Sequence, residues 1–516
     1  MQFKLTISTV IHPVLFAFFP VFLIISTNIN EIIFTDAALS FLMVITITFT
    51  SWFFLNLFLK NIMKSGMLIS FGLILFFSYG HATSYASQTN IDVSLLPFSH
   101  STYLIPLYFL ISIFGIVILI RIKRNLKDLT IIANIIAIVL IVMLFPNIIS
   151  YAYELKSYET PDIPLNYNIV TVPELNDRPN IYYIILDEYT SNDVLKEIYN
   201  YDNSDFLSEL SKRGFYVPSN SYSNYVTSPT SIISSLNMAY INNVTYNPTM
   251  DSTNKLFNNN QIMRILKSLD YTVVNLSLEY GYPEIADHDL CKSPLYVNSF
   301  HTLLSETTLW NPISKLFVDG GEPHRNNIKC KFSELSNLHN SIDDPFFVFA
   351  HFLLPHPPYL FGANGESVTP EFLSIGSGSW KDKSGYVHQV QYTNKKVLET
   401  IDNILQESDT LPIIILQGDH GTPTLLGGGG LSWKNVNDDS IKERMSIFNA
   451  YYFPNVDCKV IYDGITPVNS FRLVLNNYLN GDYELLEDKM YFSFYTDQLN
   501  FTDVTKKILL TSDLSE

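Results

Sequence analysis

The pattern of apolar and polar positions changes near residue 150. Before it, apolar stretches run over residues 8–27, 38–59, 67–80 with its flanks, 103–120 and 129–149, and most reach the ~20 residues that a helix needs to cross ~30 Å of hydrocarbon. The pattern predicts a multi-pass anchor of five helices. Its third stretch is the weakest, because Gly66, Gly72 and Gly80 with Ser78 and His81 shorten the apolar run, and a four-helix count would reverse the side on which the rest of the chain lies. Loop charge arbitrates. Lys4, then Lys60 and Lys64, then Arg121, Lys123, Arg124 and Lys127 fall on alternate connections, while the loops around 31–36 and 81–102 carry no Lys or Arg. By the positive-inside bias the N-terminus is cytoplasmic and the chain emerges outside after five crossings. A cleaved signal peptide over 1–30 is disfavoured, since no small-residue cleavage site follows and four more apolar stretches do.

Residues 151–178 mix Pro, Tyr and acids without periodicity and read as an extended linker. A soluble domain is expected over 179–516. There, continuous apolar runs of strand length stand at 181–186 (IYYIIL), 271–276 (YTVVNL), 345–352 (PFFVFAHF) and 411–417 (LPIIILQ), with helix-like segments such as 261–269 and 387–405 beside them. Such runs are the signature of parallel strands buried on both faces. The rhythm predicts an α/β domain with a mainly parallel sheet flanked by helices, with ligands beyond the carboxyl ends of the strands.

Charge narrows the function. Of 32 Lys and Arg and 49 Asp and Glu, residues 1–150 hold 7 basic and 4 acidic, leaving 25 and 45 in the remainder. A domain this acidic repels phosphate backbones, so nucleic acid is not an expected partner. With three cysteines no disulfide framework forms; Cys291 and Cys330 pair once if their domain faces an oxidising compartment, or all three are buried thiols. The run Gly427 to Gly430 lacks a following Lys-Ser/Thr and reads as a loop, not a phosphate cradle.

Three of the four strand runs end in groups that bind metal or phosphate: Asp187-Glu188, then His351 and His356, then Asp419-His420. One acid at a strand end is commonly a cap or a solvated turn. Three such endings on one sheet edge point to a site. Carboxylates with imidazole suit Zn²⁺ or Mn²⁺ and tolerate Mg²⁺ or Ca²⁺, and one such ion activates a coordinated hydroxyl and stabilises charge on a phosphoryl or sulfuryl oxygen. A nucleophile is available in YVTSPTSIISSLN (225–237), where a hydroxyl-rich turn precedes a helix start, a position at which free backbone N–H groups meet an anion. The alternative is that Thr227, Ser228, Thr230 and Ser231 only cap that helix.

The strand PNIYYIILDE, the hydroxyl turn, HFLLPHPPY and QGDHG, in that order, resemble the sulfatase-like branch of the alkaline phosphatase superfamily over roughly residues 179–455. With a five-helix anchor the chain looks like the lipoteichoic acid synthases and phosphoethanolamine transferases of bacterial envelopes. The resemblance implies metal ligands at Asp187, Asp419 and His420, with Glu188 on the second acid of the sulfatase pair. His356 would bind the headgroup or protonate the leaving group. His351 would lie in the substrate site or be a buried histidine satisfied by backbone. Pro229 favours Thr227 as nucleophile, and the spacing to Ser231 favours Ser228, so both stand. Formylglycine-forming sulfatases carry Arg where this chain has Ser231, which disfavours sulfate-ester hydrolysis.

The expected activity is therefore transfer of a phospholipid-derived phosphoethanolamine or phosphoglycerol group, through a covalent Ser or Thr, to an envelope glycan or lipid. The expected place is the bacterial inner membrane with the catalytic domain periplasmic. The alternatives are a membrane-bound phosphodiesterase or sulfatase-like hydrolase, a glycan-binding protein that kept the fold, and a transporter, the last weakened by the lack of an intramembrane charge pair.

Overall fold

The computed structural model describes residues 9–27, 34–88, 104–123, 125–149, 178–244, 250–277, 286–291, 299–314, 321–368, 379–428, 433, 436–495 and 497–512. The linker expected at 151–178 lies outside them except for Arg178. The chain divides into two units, residues 1–159 with 295–319, and residues 160–294 with 320–516. In chain order the elements used below are α1 (His12–Thr27), α2 (Phe34–Leu59), α3 (Ile62–Gln88), α4 (Ile105–Arg121), α5 (Lys127–Val142), β1 (Ile181–Leu186), α6 (Ser228–Asn237), α7 (Gln261–Ser268), β2 (Thr272–Leu276), β3 (His288–Asp289), α8 (Ser299–Glu306), α9 (Trp310–Ser314), α10 (Glu322–Asn337), β4 (Phe346–Phe352), α11 (Lys383–Glu407), β5 (Ile413–Gly418), α12 (Asp438–Met445) and β6 (Asn449–Tyr452).

In the first unit α1 packs on α2, α3 and α5, and Phe53, Phe58, Phe114 and Ile135 are exposed. A helix that is apolar all round suits lipid rather than water. Among the described residues three spans are long and apolar enough to cross a membrane: Ala37–Leu59, Ile62–Ala86 and Lys127–Ile149; α1 and α4 are shorter, at 16 and 17 residues. Buried Asn134 of α5 is accounted for locally. Its Oδ1 accepts the His12 backbone N–H at 2.9 Å and its Nδ2 donates to the Thr9 carbonyl at 2.7 Å, serving backbone groups that the first turn of α1 leaves open.

Helices α8 and α9 belong to this unit although they follow β3 in the chain. Phe300 and Leu304 of α8 join Val21, Ile24, Ala37 and Phe77 in one apolar cluster. The backbone of α3 bonds the segment directly, Gly80 N–H to Thr307 O at 2.9 Å and Leu309 N–H to Phe76 O at 2.8 Å. Gly80 is required there: a Cβ would stand 2.0 Å from the Glu306 carbonyl. These contacts lie at the end of α1, the start of α2 and the end of α3, so they mark the end of the bundle away from Lys60, Lys64 and Arg121.

Among the described residues the second unit is built on a six-stranded sheet of order β3-β2-β4-β1-β5-β6, parallel except for the β5–β6 pair. Period-two alternation sends β1 side chains to two cores. Ile181, Tyr183 and Ile185 pack with Ile232 and Ile233 of α6 and Ile265 and Leu266 of α7. Tyr182, Ile184 and Leu186 pack with Ile328 and Leu335 of α10 and Val390 and Val397 of α11. Covering both faces explains why the strands read as unbroken apolar runs. The expected runs at 271–276, 345–352 and 411–417 form β2, β4 and β5, each within two residues at either end. Two-residue β3 and edge strand β6 (NAYY) are too short to announce themselves. Cys291 and Cys330 form a disulfide, their Cα atoms 5.8 Å apart, joining the segment after β3 to α10.

Candidate active site

Register sets the site. Leu186, the last residue of β1, stands opposite Phe352 of β4 and Gly418 of β5, so three parallel strands end at one level. The next residues, Asp187 and Asp419, and the penultimate residue of β4, His351, therefore meet. The ligand-type atoms of Asp187, Asp419 and His420 lie within 4.8 Å of one another, and all three residues are buried. His420 Nε2 is 3.5 Å from Asp419 Oδ2 and 3.9 Å from Asp187 Oδ1. Asp419 Oδ1 is fixed by the backbone N–H groups of Glu188 and His420 at 3.0 and 2.9 Å. Gly421 is obligatory next to them, because a Cβ would be 2.1 Å from the Glu443 carbonyl.

The tautomer of His420 follows from its partners. Nδ1 faces the Gly421 carbonyl at 3.2 Å, which only accepts, and Arg444 Nη2, which only donates, is 3.2 Å from Nε2. The proton thus sits on Nδ1 and the Nε2 lone pair points into the cluster. Burial and the adjacent Arg444 guanidinium push this imidazole well below its usual range, keeping it neutral. Burial raises Asp187, but the imidazoles of His356 and His351 outweigh it and hold the carboxyl below the ordinary range. Burial together with the Asp187 charge raises Asp419 to about 7. Asp187 Oδ1 and Asp419 Oδ2 are buried and accept no hydrogen bond among the described residues. Two such oxygens beside a neutral imidazole are costly alone and fit a divalent cation as donor set.

The two hydroxyl candidates differ in direction. Ser228, in the first turn of α6, places Oγ 3.0 Å from His420 Nε2. Thr227 is the extended N-cap residue, and its Oγ1 bonds Thr230 Oγ1 at 2.8 Å. Of the histidines, His351 Nε2 lies 3.5 Å from Asp187 Oδ2. His356 stands edge-on to Trp380 with ring centroids 5.7 Å apart, and its Nδ1 is 2.5 Å from the Pro357 carbonyl. Burial would lower His356, but the Asp187 and Glu188 carboxylates reverse this and raise it. Gln389 of α11 fixes that loop, donating to the His356 carbonyl at 2.8 Å and accepting the Leu360 N–H at 2.7 Å.

Glu188 does not join the three-residue cluster. Its oxygens take Arg444 Nη1 and Trp380 Nε1, each at 2.8 Å, and its backbone turns through φ 62°, an uncommon left-handed setting for a side chain of this length. Sequence reasoning missed Arg444, which also donates to the carbonyls of Val226 at 2.9 Å and Gly421 at 2.6 Å. Within KERM at 442–445 it looks like one charge of a solvated helix face, and no local pattern separates it from Lys442. Buried Glu443 was missed for the same reason; it accepts from Thr422 Oγ1, Thr424 N and Leu425 N at 2.7 to 2.9 Å, holding the loop after QGDHG, and burial raises it to about 7.

The family model for sulfatases matches residues 179–442. Comparison with curated proteins gives no match. Among solved structures the chain is similar to the integral membrane protein lipooligosaccharide phosphoethanolamine transferase A (EptA) from Neisseria meningitidis, at 11% identity and TM-score 0.42 over 90% of this chain and 95% of that one. It is also similar to the C-terminal periplasmic domain of EcEptC from Escherichia coli in complex with Zn, at 10% identity and TM-score 0.42 over 64% and 94%. A protein in the alkaline phosphatase superfamily from Vibrio parahaemolyticus gives 12%, TM-score 0.37, 65% and 78%. With the family match spanning more than half of its 516 residues, the chain belongs to the sulfatase family, and it carries apolar helices N-terminal to the matched region.

Proposed function

We propose that the protein is a membrane-anchored transferase that moves a phosphoethanolamine or phosphoglycerol group from a phospholipid to an envelope glycan or lipid. In this reading residues 1–150 are the anchor, 151–178 a linker and 179–516, apart from α8 and α9, the catalytic domain on the periplasmic side of a bacterial inner membrane. One observation supports that side: a disulfide belongs to an oxidising compartment.

The observation that carries the reaction is the Ser228 hydroxyl at 3.0 Å from His420 Nε2, beside two buried carboxylates on the first turn of a helix. Asp187, Asp419 and His420 would hold one divalent cation, with Zn²⁺ or Mn²⁺ best suited, which lowers the pKa of a hydroxyl and stabilises charge on phosphoryl oxygens. Glu188 is left to orient Arg444. Ser228, ionised beforehand as a bound cation would favour, would attack the headgroup phosphorus through its Oγ alkoxide, forming an O–P bond as the bond to the diacylglycerol oxygen breaks, and would leave as the alkoxide in the second step. His356, raised by its acidic neighbours, would hand its proton to that oxygen. An acceptor hydroxyl would then lose its proton to His356 and displace Ser228 from phosphorus. Thr227 stays in the helix cap, and His351 flanks Asp187.

Turnover separates transfer from hydrolysis. Full-length protein loaded with Zn²⁺ or Mn²⁺ and given a phospholipid labelled in its headgroup should release diacylglycerol and label the acceptor pool of an envelope extract. Label released only as free headgroup, at the same rate with and without that extract, would make the protein a phosphodiesterase.

A further inference from the structure

The end of the helical unit that carries the basic residues also holds an open cavity of about 440 Å³, where the turn between α2 and α3 meets the connection between α4 and α5. Lys64, Arg121 and Lys123 line it, with Asn61, Asn125 and Leu126. Several of its acceptors are engaged. The Ile120 carbonyl takes Lys64 Nζ at 2.8 Å, Asn61 Oδ1 takes the Lys64 N–H at 3.0 Å, and Asn125 Oδ1 takes the Lys127 N–H at 3.0 Å. Among the described residues no carboxylate pairs with Lys64, Arg121 or Lys123. Three cations thus face one cavity without a counter-charge. Of its apolar lining residues, Met63, Ile120, Ile122 and Leu126, Ile120 is exposed.

The positive-inside bias asks for basic residues at this end, but it does not ask that they gather round a cavity with apolar flanks. That combination matches a lipid, whose phosphate needs donors and whose chains need apolar surface; basic pockets between membrane helices on the cytoplasmic side bind such headgroups. We propose that this cavity binds the phosphate of one anionic phospholipid from the leaflet at the basic end. The proposal needs α1 to α5 to lie in a bilayer and uses none of the residues near Ser228, so it stands or falls separately from the transfer reaction.

The test is native mass spectrometry of the full-length protein released from nanodiscs of zwitterionic lipid doped with phosphatidylglycerol. The wild type should retain one phosphatidylglycerol. R121Q/K123Q should retain it about 30-fold more weakly, the effect expected for two cations near the surface. K60Q/K127Q removes two charges from the same end outside the cavity lining and should retain it as the wild type does. Equal loss in both variants, or no loss in R121Q/K123Q, overturns the site. Millimolar inorganic phosphate should leave the lipid bound; displacement by it would make the ligand a free phosphate and overturn the lipid.

Discussion

Ser228 and Thr227 carry the same functional group one residue apart, and the helix start separates them. Thr227 is extended, with its hydroxyl on Thr230, while Ser228 has entered α6 and faces His420. The sequence could name both and not choose, because the choice depends on where the first turn begins relative to strands far away in the chain. That Asp187, Asp419 and His420 would meet was legible, since adjacent parallel strands whose ends carry such groups deliver them to one sheet edge. The direction of Glu188 was not, because it depends on Arg444, 256 residues away. In the proposed scheme, Asp419→Asn or His420→Ala should lower bound metal to background by elemental analysis. His356→Gln should keep the metal and slow transfer by roughly 10²–10⁴-fold, the usual contribution of a positioned proton donor. Full metal and activity in His420→Ala would remove the site from this cluster.

At the scale of elements, parallel strands buried on both faces announced themselves, and helices whose partners decide their role did not. Helix α8 (SFHTLLSE) has the composition of an ordinary surface helix; only the cluster of Phe300 and Leu304 with Val21, Ala37 and Phe77 assigns it to the helical unit. The disulfide closes the segment that contains it, 39 residues apart in sequence. Cys291→Ser with Cys330→Ser should cost about 2–4 kcal/mol, read as a lower melting temperature in detergent; reductant should destabilise the wild type similarly and leave the double variant unchanged. Helix α12 anchors the loop after QGDHG through Glu443. Glu443→Gln puts an amide donor against donors already present, and should destabilise the second unit by about 1–3 kcal/mol, measured by urea denaturation followed by tryptophan fluorescence. An unchanged midpoint would show that the loop does not depend on it.

The whole molecule joins apolar helices to an acidic α/β domain in one chain. Both halves were visible in the sequence, one as long apolar stretches and the other as strand-length runs ending in acids and histidines. What the sequence could not show is that residues 295–319 return to the helical unit, a matter of tertiary contact between segments more than 200 residues apart. An anchored site suits a donor that is itself a membrane lipid, and a neutral His420 beside Ser228 suits attack through an unmodified hydroxyl. The most direct measurement is intact and peptide mass spectrometry of the metal-loaded full-length protein after incubation with a mixed bacterial phospholipid extract. A mass gain equal to phosphoethanolamine or phosphoglycerol, confined to Ser228, absent in Ser228→Ala and kept in Thr227→Ala, is the predicted result; an adduct on Thr227, or turnover of the lipid with no adduct on either residue, would contradict it.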